Sequence, residues 1–156
     1  MTGLWKNQLI MLAATGFGLG YSPVAPGTLG TLAALPFIWL FTYMPRAAGT
    51  FFLVCFLLTS VFVADRAEKI LGRKDPGAIV IDEMAGYWVT MCLVPVTGTT
   101  LVAGFIAFRC FDIVKIGPVR YFEKNFSGGA GIVLDDIMAG VLAALTVKCL
   151  YILGLL

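Results

Sequence analysis

Five apolar runs, at about residues 28–44, 47–64, 78–96, 100–114 and 132–156, occupy most of this chain, and charge collects between them or at their ends. That pattern restricts the possible folds more than any other feature. Each run approaches the roughly 20 residues that a helix needs to cross ~30 Å of hydrocarbon. Apolar residues make up 60% of the 156 and charged residues only 13%, against ~25% charged in soluble domains. A soluble domain of this size has too little interior to hide so much apolar surface. The sequence therefore predicts one domain, residues 1–156, folded as an all-α polytopic membrane bundle of four or five transmembrane helices. A shorter run at 9–19 leads into glycines and reads as an interfacial or re-entrant N-terminal helix. No signal-peptide cleavage site is evident, so the mature chain is expected to begin at Met1.

Several function classes fall away on composition. A net charge of +2 without a basic stripe argues against a nucleic-acid partner. Histidine is absent, which excludes an imidazole base or nucleophile. Cys55, Cys92, Cys110 and Cys149 stand singly in apolar runs and are expected to be small buried hydrophobes rather than ligands or disulfides. A cysteine phosphatase loop needs arginine six residues after its cysteine, and Ile116 stands there after Cys110. No Asp-x-Asp pair is present for an aspartyl-phosphate mechanism.

Successive spans alternate in direction, which sorts the charges by face. Arg66, Lys69, Arg73, Lys74, Arg109, Lys115, Arg120 and Lys124 fall on one face, together with all nine carboxylates. The other face has Arg46, while Lys148 lies along the last run and can snorkel. The positive-inside rule makes the charged face cytoplasmic.

Three clusters meet on that face: Asp82-Glu83, Arg109/Asp112/Lys115, and Asp135-Asp136. The spacing i, i+3, i+6 puts Arg109, Asp112 and Lys115 on one helical face. Acids near the hydrocarbon edge are costly unless paired or bound to a cation. Carboxylates without His or Cys are hard ligands that suit Mg2+ or Mn2+ rather than zinc. Asp82, Glu83, Asp135 and Asp136 are expected to supply most of a Mg2+ shell, with Asp112 as a further ligand or as the base; the other four acids read as surface charge. A second element is Ser22-Pro-x-x-Pro-Gly27-Thr28-x-Gly30-Thr31, where Thr28 can cap a helix and Gly27 and Gly30 let backbone N–H groups approach a phosphate. Gly128-Gly129-Ala130-Gly131 reads as a flexible turn first and a phosphate cradle second.

A metal site, a phosphate-friendly helix start and two cations, Arg109 and Lys115, beside the headgroups suit hydrolysis of a phosphate ester on a phospholipid. The competing reading is a cation-coupled transporter or channel using the same acids, although such sites usually lie near the midplane.

At these residues the chain resembles the phosphatidylglycerophosphatase A family, Mg2+-dependent bacterial membrane phosphatases. The resemblance runs from Gly16 to about Ala144. It rests on the stretch Gly16 to Thr31, Asp82-Glu83-x-x-Gly86-x-Trp88, Phe108-Arg109-x-x-Asp112-x-x-Lys115, and Gly128-Gly129-x-Gly131-Ile132-x-x-Asp135-Asp136-x-x-Ala139-Gly140. It implies removal of the terminal phosphate of phosphatidylglycerophosphate to give phosphatidylglycerol in the bacterial cytoplasmic membrane, with phosphatidate as an alternative substrate. The family's acidic roles carry over onto Asp82, Glu83, Asp112, Asp135 and Asp136, and its basic ones onto Arg109 and Lys115; Ser22, Thr28 and Thr31 are expected to aid phosphate binding. The chain departs from the family pattern at Ile116, where proline often follows the lysine, and at Ser127, where some members have histidine.

Overall fold

A computed structural model describes residues 2–156, and among the described residues all regular structure is helical. Helix α1, Thr2–Ala14, begins well before the apolar run at 9–19. It ends where the Thr15 hydroxyl donates back to the Met11 carbonyl (2.7 Å) and Gly16 and Gly18 take positive φ. A 3-10 turn at Leu19–Tyr21 then packs against the segment before α5: a side chain at Gly20 would run into the Ala78 carbonyl. The Val80 N–H donates to the Ala14 carbonyl (2.8 Å), which ties the same two segments together.

The first predicted span is two short helices, α2 (Pro26–Ala33) and α3 (Leu35–Phe41). Pro36 explains the break, since it has no N–H to offer the turn before it. Helix α4, Arg46–Leu71, extends seven residues beyond the run read as the second span and stops at Gly72, whose φ of 67° closes the helix. The third run folds as α5, Ile81–Thr90, and a 3-10 turn at Met91–Leu93. Helix α6, Gly98–Val114, starts with a capping box in which Thr97 and Thr100 exchange hydrogen bonds. Residues 118–125, expected as part of a polar connection, form α7 (Pro118–Asn125), which buries Val119. Helix α8, Gly128–Ile152, begins four residues ahead of the predicted fifth span.

The count of four or five spans is therefore not supported. Among the described residues, only α4 and α8 are long and apolar enough to cross a bilayer, with mean hydropathies of 2.2 and 1.9. The ten residues of α5 reach about 15 Å, half the hydrocarbon thickness. Helix α4 turns most of its side chains outward, including Phe51, Leu58 and Phe62, whereas α8 is mostly buried and packs against α4, α5, α6 and α7. The cysteines are free, as expected, but all four are exposed rather than buried.

Helices α5 and α8 meet backbone to backbone. A Cβ on Gly140 would strike the Gly86 carbonyl, and one on Gly86 would meet the Asp136 carbonyl and the Phe108 ring. The Thr90 hydroxyl donates to the Gly86 carbonyl (3.0 Å) and lies 3.4 Å from that of Gly140, so the crossing also has a polar contact. Small residues at such crossings let backbones touch where lipid offers no hydrophobic drive for association. The glycines at the start of α8 act the same way. A side chain at Gly129 would collide with the Val61 carbonyl and the Asp65 backbone on α4. Gly128–Gly131 is thus the helical beginning of α8 pressed onto α4, which corrects its reading as a flexible turn or cradle.

This packing generates a direct test. Gly140→Val should destabilise the protein by about 3 kcal/mol, because rigid backbone faces the new side chain. Gly98→Ala, whose methyl would meet nothing, should leave the melting temperature unchanged or slightly raised. Thermal unfolding in detergent micelles measures both.

Candidate active site

Asp82 and Asp136 each stand four residues, about one helical turn, before the glycine at which their helices cross. Because α5 and α8 run in the same direction there, the two acids arrive side by side. Glu83 joins them, and one oxygen from each of Asp82, Glu83 and Asp136 lies within 4.8 Å of the others. Asp82 and Asp136 are 8% and 4% exposed. No ion pair among the described residues reaches either of them. Their nearest polar support is local: the Glu83 N–H donates to Asp82 Oδ1 at 3.0 Å.

Buried carboxylates without a partner are expensive, and Glu83 Oε2 is buried with no hydrogen bond at all. Three converging acids, with no protein cation on two of them, fit a hard divalent ion. Their oxygens are the donor type that Mg2+ takes, with water completing its octahedron.

Arg109, from the last turns of α6, closes one side of this group. Its Nη1 lies 2.6 Å from Asp112 Oδ2 and 3.9 Å from Glu83 Oε1. Even so, neither Nε nor Nη1 makes an aligned hydrogen bond, although both are buried. The guanidinium is thus held through Nη1 by Asp112 while Nε keeps an unspent donor for an oxyanion. Gly27, the second residue of α2, sits directly over it. A Cβ there would overlap Glu83 Oε1 and come 3.1 Å from Arg109 Nη1. The first-turn N–H groups of Gly27 and Thr28 have no partner within their helix, so α2 starts at the site with free donors.

Lys115 takes a different place from the one its spacing predicts. It closes α6 with a φ of 47°, leaving the helical face it was expected to share with Arg109 and Asp112. Its Nζ lies 2.8 Å from Asp135 Oδ2 and 3.0 Å from Glu123 Oε1. Burial would lower the pKa of this ammonium, but the hydrogen bonds and charges of Asp135 and Glu123 outweigh it and raise it, so Lys115 stays charged. Asp135 and Asp136 are consecutive on a helix and point about 100° apart, which sends one toward Lys115 and the other into the acidic trio. Asp112 pairs with Arg109 and also stands against Asp136, at the edge of the trio. Asp135 and Asp136 stand two turns into α8.

The predicted phosphate ligands divide. Gly27 reaches the site, and Ala25, not Thr28, occupies the cap position. Thr31 is fully buried and its hydroxyl donates to the Gly27 carbonyl (2.8 Å). Gly30 is taken up by contact with Val80. The Ser22 hydroxyl donates to the Val24 carbonyl (2.9 Å) and shapes the turn before α2. Glu123, read from sequence as surface charge, is a partner of Lys115; its place on a short amphipathic helix just after the lysine was the available signal. Gly86 and Gly140 stood in the motifs without a role, and they prove to position the acids.

Residues 12–151 match the sequence profile of the family described as Phosphatidylglycerophosphatase A. The chain is 41% identical over 144 residues to Phosphatidylglycerophosphatase A of Escherichia coli, covering 92% of this chain and 82% of that protein. It is 36% identical over 141 residues to the Haemophilus influenzae protein of the same name, covering 88% and 86%. A Bacteroides thetaiotaomicron protein, provisionally named a phosphatidylinositol-3-phosphatase, is 41% identical over 142 residues, covering 85% and 87%. No solved structure matches significantly. With a profile match over nearly its whole length and this identity to its relatives, the chain belongs to the phosphatidylglycerophosphatase A family.

Proposed function

We propose that the protein is a Mg2+-dependent, multi-pass phosphatase of the bacterial cytoplasmic membrane that removes the terminal phosphate of phosphatidylglycerophosphate, leaving phosphatidylglycerol. The observation that carries the reading is the trio Asp82, Glu83 and Asp136, both aspartates buried, which among the described residues meets no cation except the distant edge of Arg109. The names of the E. coli and H. influenzae relatives support the substrate.

Asp82, Glu83 and Asp136 would hold the cation, which when bound supplies positive charge to the phosphoryl oxygens and acidifies water. The rest is the work of the chain. Arg109, oriented by Asp112, takes a phosphate oxygen on its unspent Nε donor, and the N–H groups of Gly27 and Thr28 take others. The attacking water gives its proton to a carboxylate, for which Asp112, at the edge of the trio, is our candidate. Its oxygen bonds to phosphorus as the ester bond to glycerol breaks, and that proton passes on to the departing glycerol oxygen. Lys115, spent on Asp135 and Glu123, acts by holding α6, α7 and α8 together beside the site.

The membrane reading draws on the exposed apolar faces, which include Trp39, Phe51, Leu58, Ile106 and Ile152. Helix α4 ends and α8 begins at the same end of the bundle, where Gly129 meets Asp65. Arg66, Lys69, Arg73, Lys74, Lys115, Arg120 and Lys124 gather there, which orients that end to the cytoplasm. Phosphate monoesters on other lipids share the chemistry, and the name of the B. thetaiotaomicron relative makes a phosphoinositide one of them.

Phosphate release by purified protein from phosphatidylglycerophosphate, phosphatidate and phosphatidylinositol 3-phosphate, with Mg2+ and with EDTA, tests the proposal. We expect release from the first, abolished by EDTA; release only from another lipid would correct the substrate, and full activity in EDTA would remove the metal. Asp82→Asn and Asp136→Asn should each cost about a hundredfold or more in turnover while the protein stays folded. Gly27→Ala should slow turnover by crowding Glu83 and Arg109, whereas Thr31→Val should keep it within about threefold, since that hydroxyl serves only its own helix. Lys115→Met, which strands Asp135, should lower stability by about 1–3 kcal/mol in thermal unfolding.

A further inference from the structure

At the end of the bundle opposite the acids lies a groove of about 750 Å3 that the proposed reaction does not use. This is the size of a small-ligand site. Phe41, Leu53, Trp88 and Tyr151 line it, and so do Arg46 and Lys148. These are the cations that the charged face lacks. No carboxylate lines the groove, and neither cation joins an ion pair among the described residues. The nearest acid along α8 is Asp136, twelve residues before Lys148 and so about 18 Å away along the helix axis. Along α4, Asp65 stands nineteen residues beyond Arg46, about 28 Å.

Two like charges thus border one apolar groove whose lining residues include no carboxylate side chain. Arg46 is also the first residue of the 26-residue α4, which has no side-chain cap. The open N–H groups of that first turn add partial positive charge at the same place. Lys148 Nζ lies 5.6 Å from the centre of the Tyr151 ring, a position that leaves its N–H donors available.

We infer that this groove binds an anionic phospholipid from the leaflet opposite the active site, with its phosphate between Arg46 and Lys148 and an acyl chain along Phe41, Leu53 and Trp88. Charge complementarity selects the occupant. A zwitterionic lipid would bring its own cation toward the two already present, and free phosphate would leave the aromatic walls wet. The inference rests on the membrane reading above, and its test separates the two.

Trp88 is the reporter, with Trp5→Phe and Trp39→Phe removing the other tryptophans. The full-length protein is placed in phosphatidylcholine vesicles carrying small amounts of brominated phosphatidylglycerol or brominated phosphatidylcholine. Brominated phosphatidylglycerol should quench Trp88 at a roughly tenfold lower mole fraction. Equal quenching by the two lipids would overturn the site while leaving membrane insertion intact; no quenching by either would overturn both. Arg46→Gln with Lys148→Gln should abolish the preference while phosphate release continues, and a preference that survives would refute the assignment. Arg46→Lys with Lys148→Arg should retain the preference, and its loss would show that packing rather than charge sets it. If saturating inorganic phosphate removes the preference, the site belongs to the free anion and the lipid assignment fails.

Discussion

The backbone contact between Gly86 and Gly140 is the constraint on which the acidic site depends. Helices separated by larger side chains stand 8–10 Å apart, which would part the carboxylates that now share a space of 4.8 Å. With no side chain at either position, α5 and α8 meet through main-chain atoms, and acids one turn earlier converge. The approach is further fixed by Phe108 of α6, whose ring lies against Gly86. That residue is one before Arg109, so the same packing sets the guanidinium beside the trio.

Charge around the site is arranged in unequal parts. Arg109 is matched to Asp112 and, at longer range, to Glu83, while Lys115 is matched to Asp135 and Glu123. These pairs leave Asp82 and Asp136 without an ion pair among the described residues. An ion pair in a low-dielectric interior offsets its desolvation only when both partners are present and well placed. The unpaired acids therefore define where an external cation gains most, and the paired ones define the frame around it. The groove at the far end has the converse pattern, cations with no acid.

Much of this was legible in the residues. The absence of histidine, the hard-oxygen chemistry and the grouping of acids with Arg109 follow from residue type and order. Spacing served less well where a helix ended. Lys115 obeys the i, i+3, i+6 rule on paper, but α6 stops one residue before it and the backbone turns left-handed. Asp135-Asp136 reads as a unit, yet helical geometry separates neighbours by about 100°. Thr31 and Gly30 share a motif with Gly27, but they face inward to Gly27 itself and to Val80. The apolar runs overstated the spans, because hydropathy cannot show that Pro36 divides one run or that α5 ends after ten residues.

The sequence by itself determined the helical class, the gathering of acids and cations toward one end, and the chemistry those side chains can perform. These follow from local periodicity, composition and ionisation, which need no knowledge of neighbours. Tertiary structure alone decided which acids converge, which cation is already spent, and which glycine faces the site. Those outcomes depend on the distance and angle at which helices far apart in sequence cross, and here both are set by atoms that two glycines do not have.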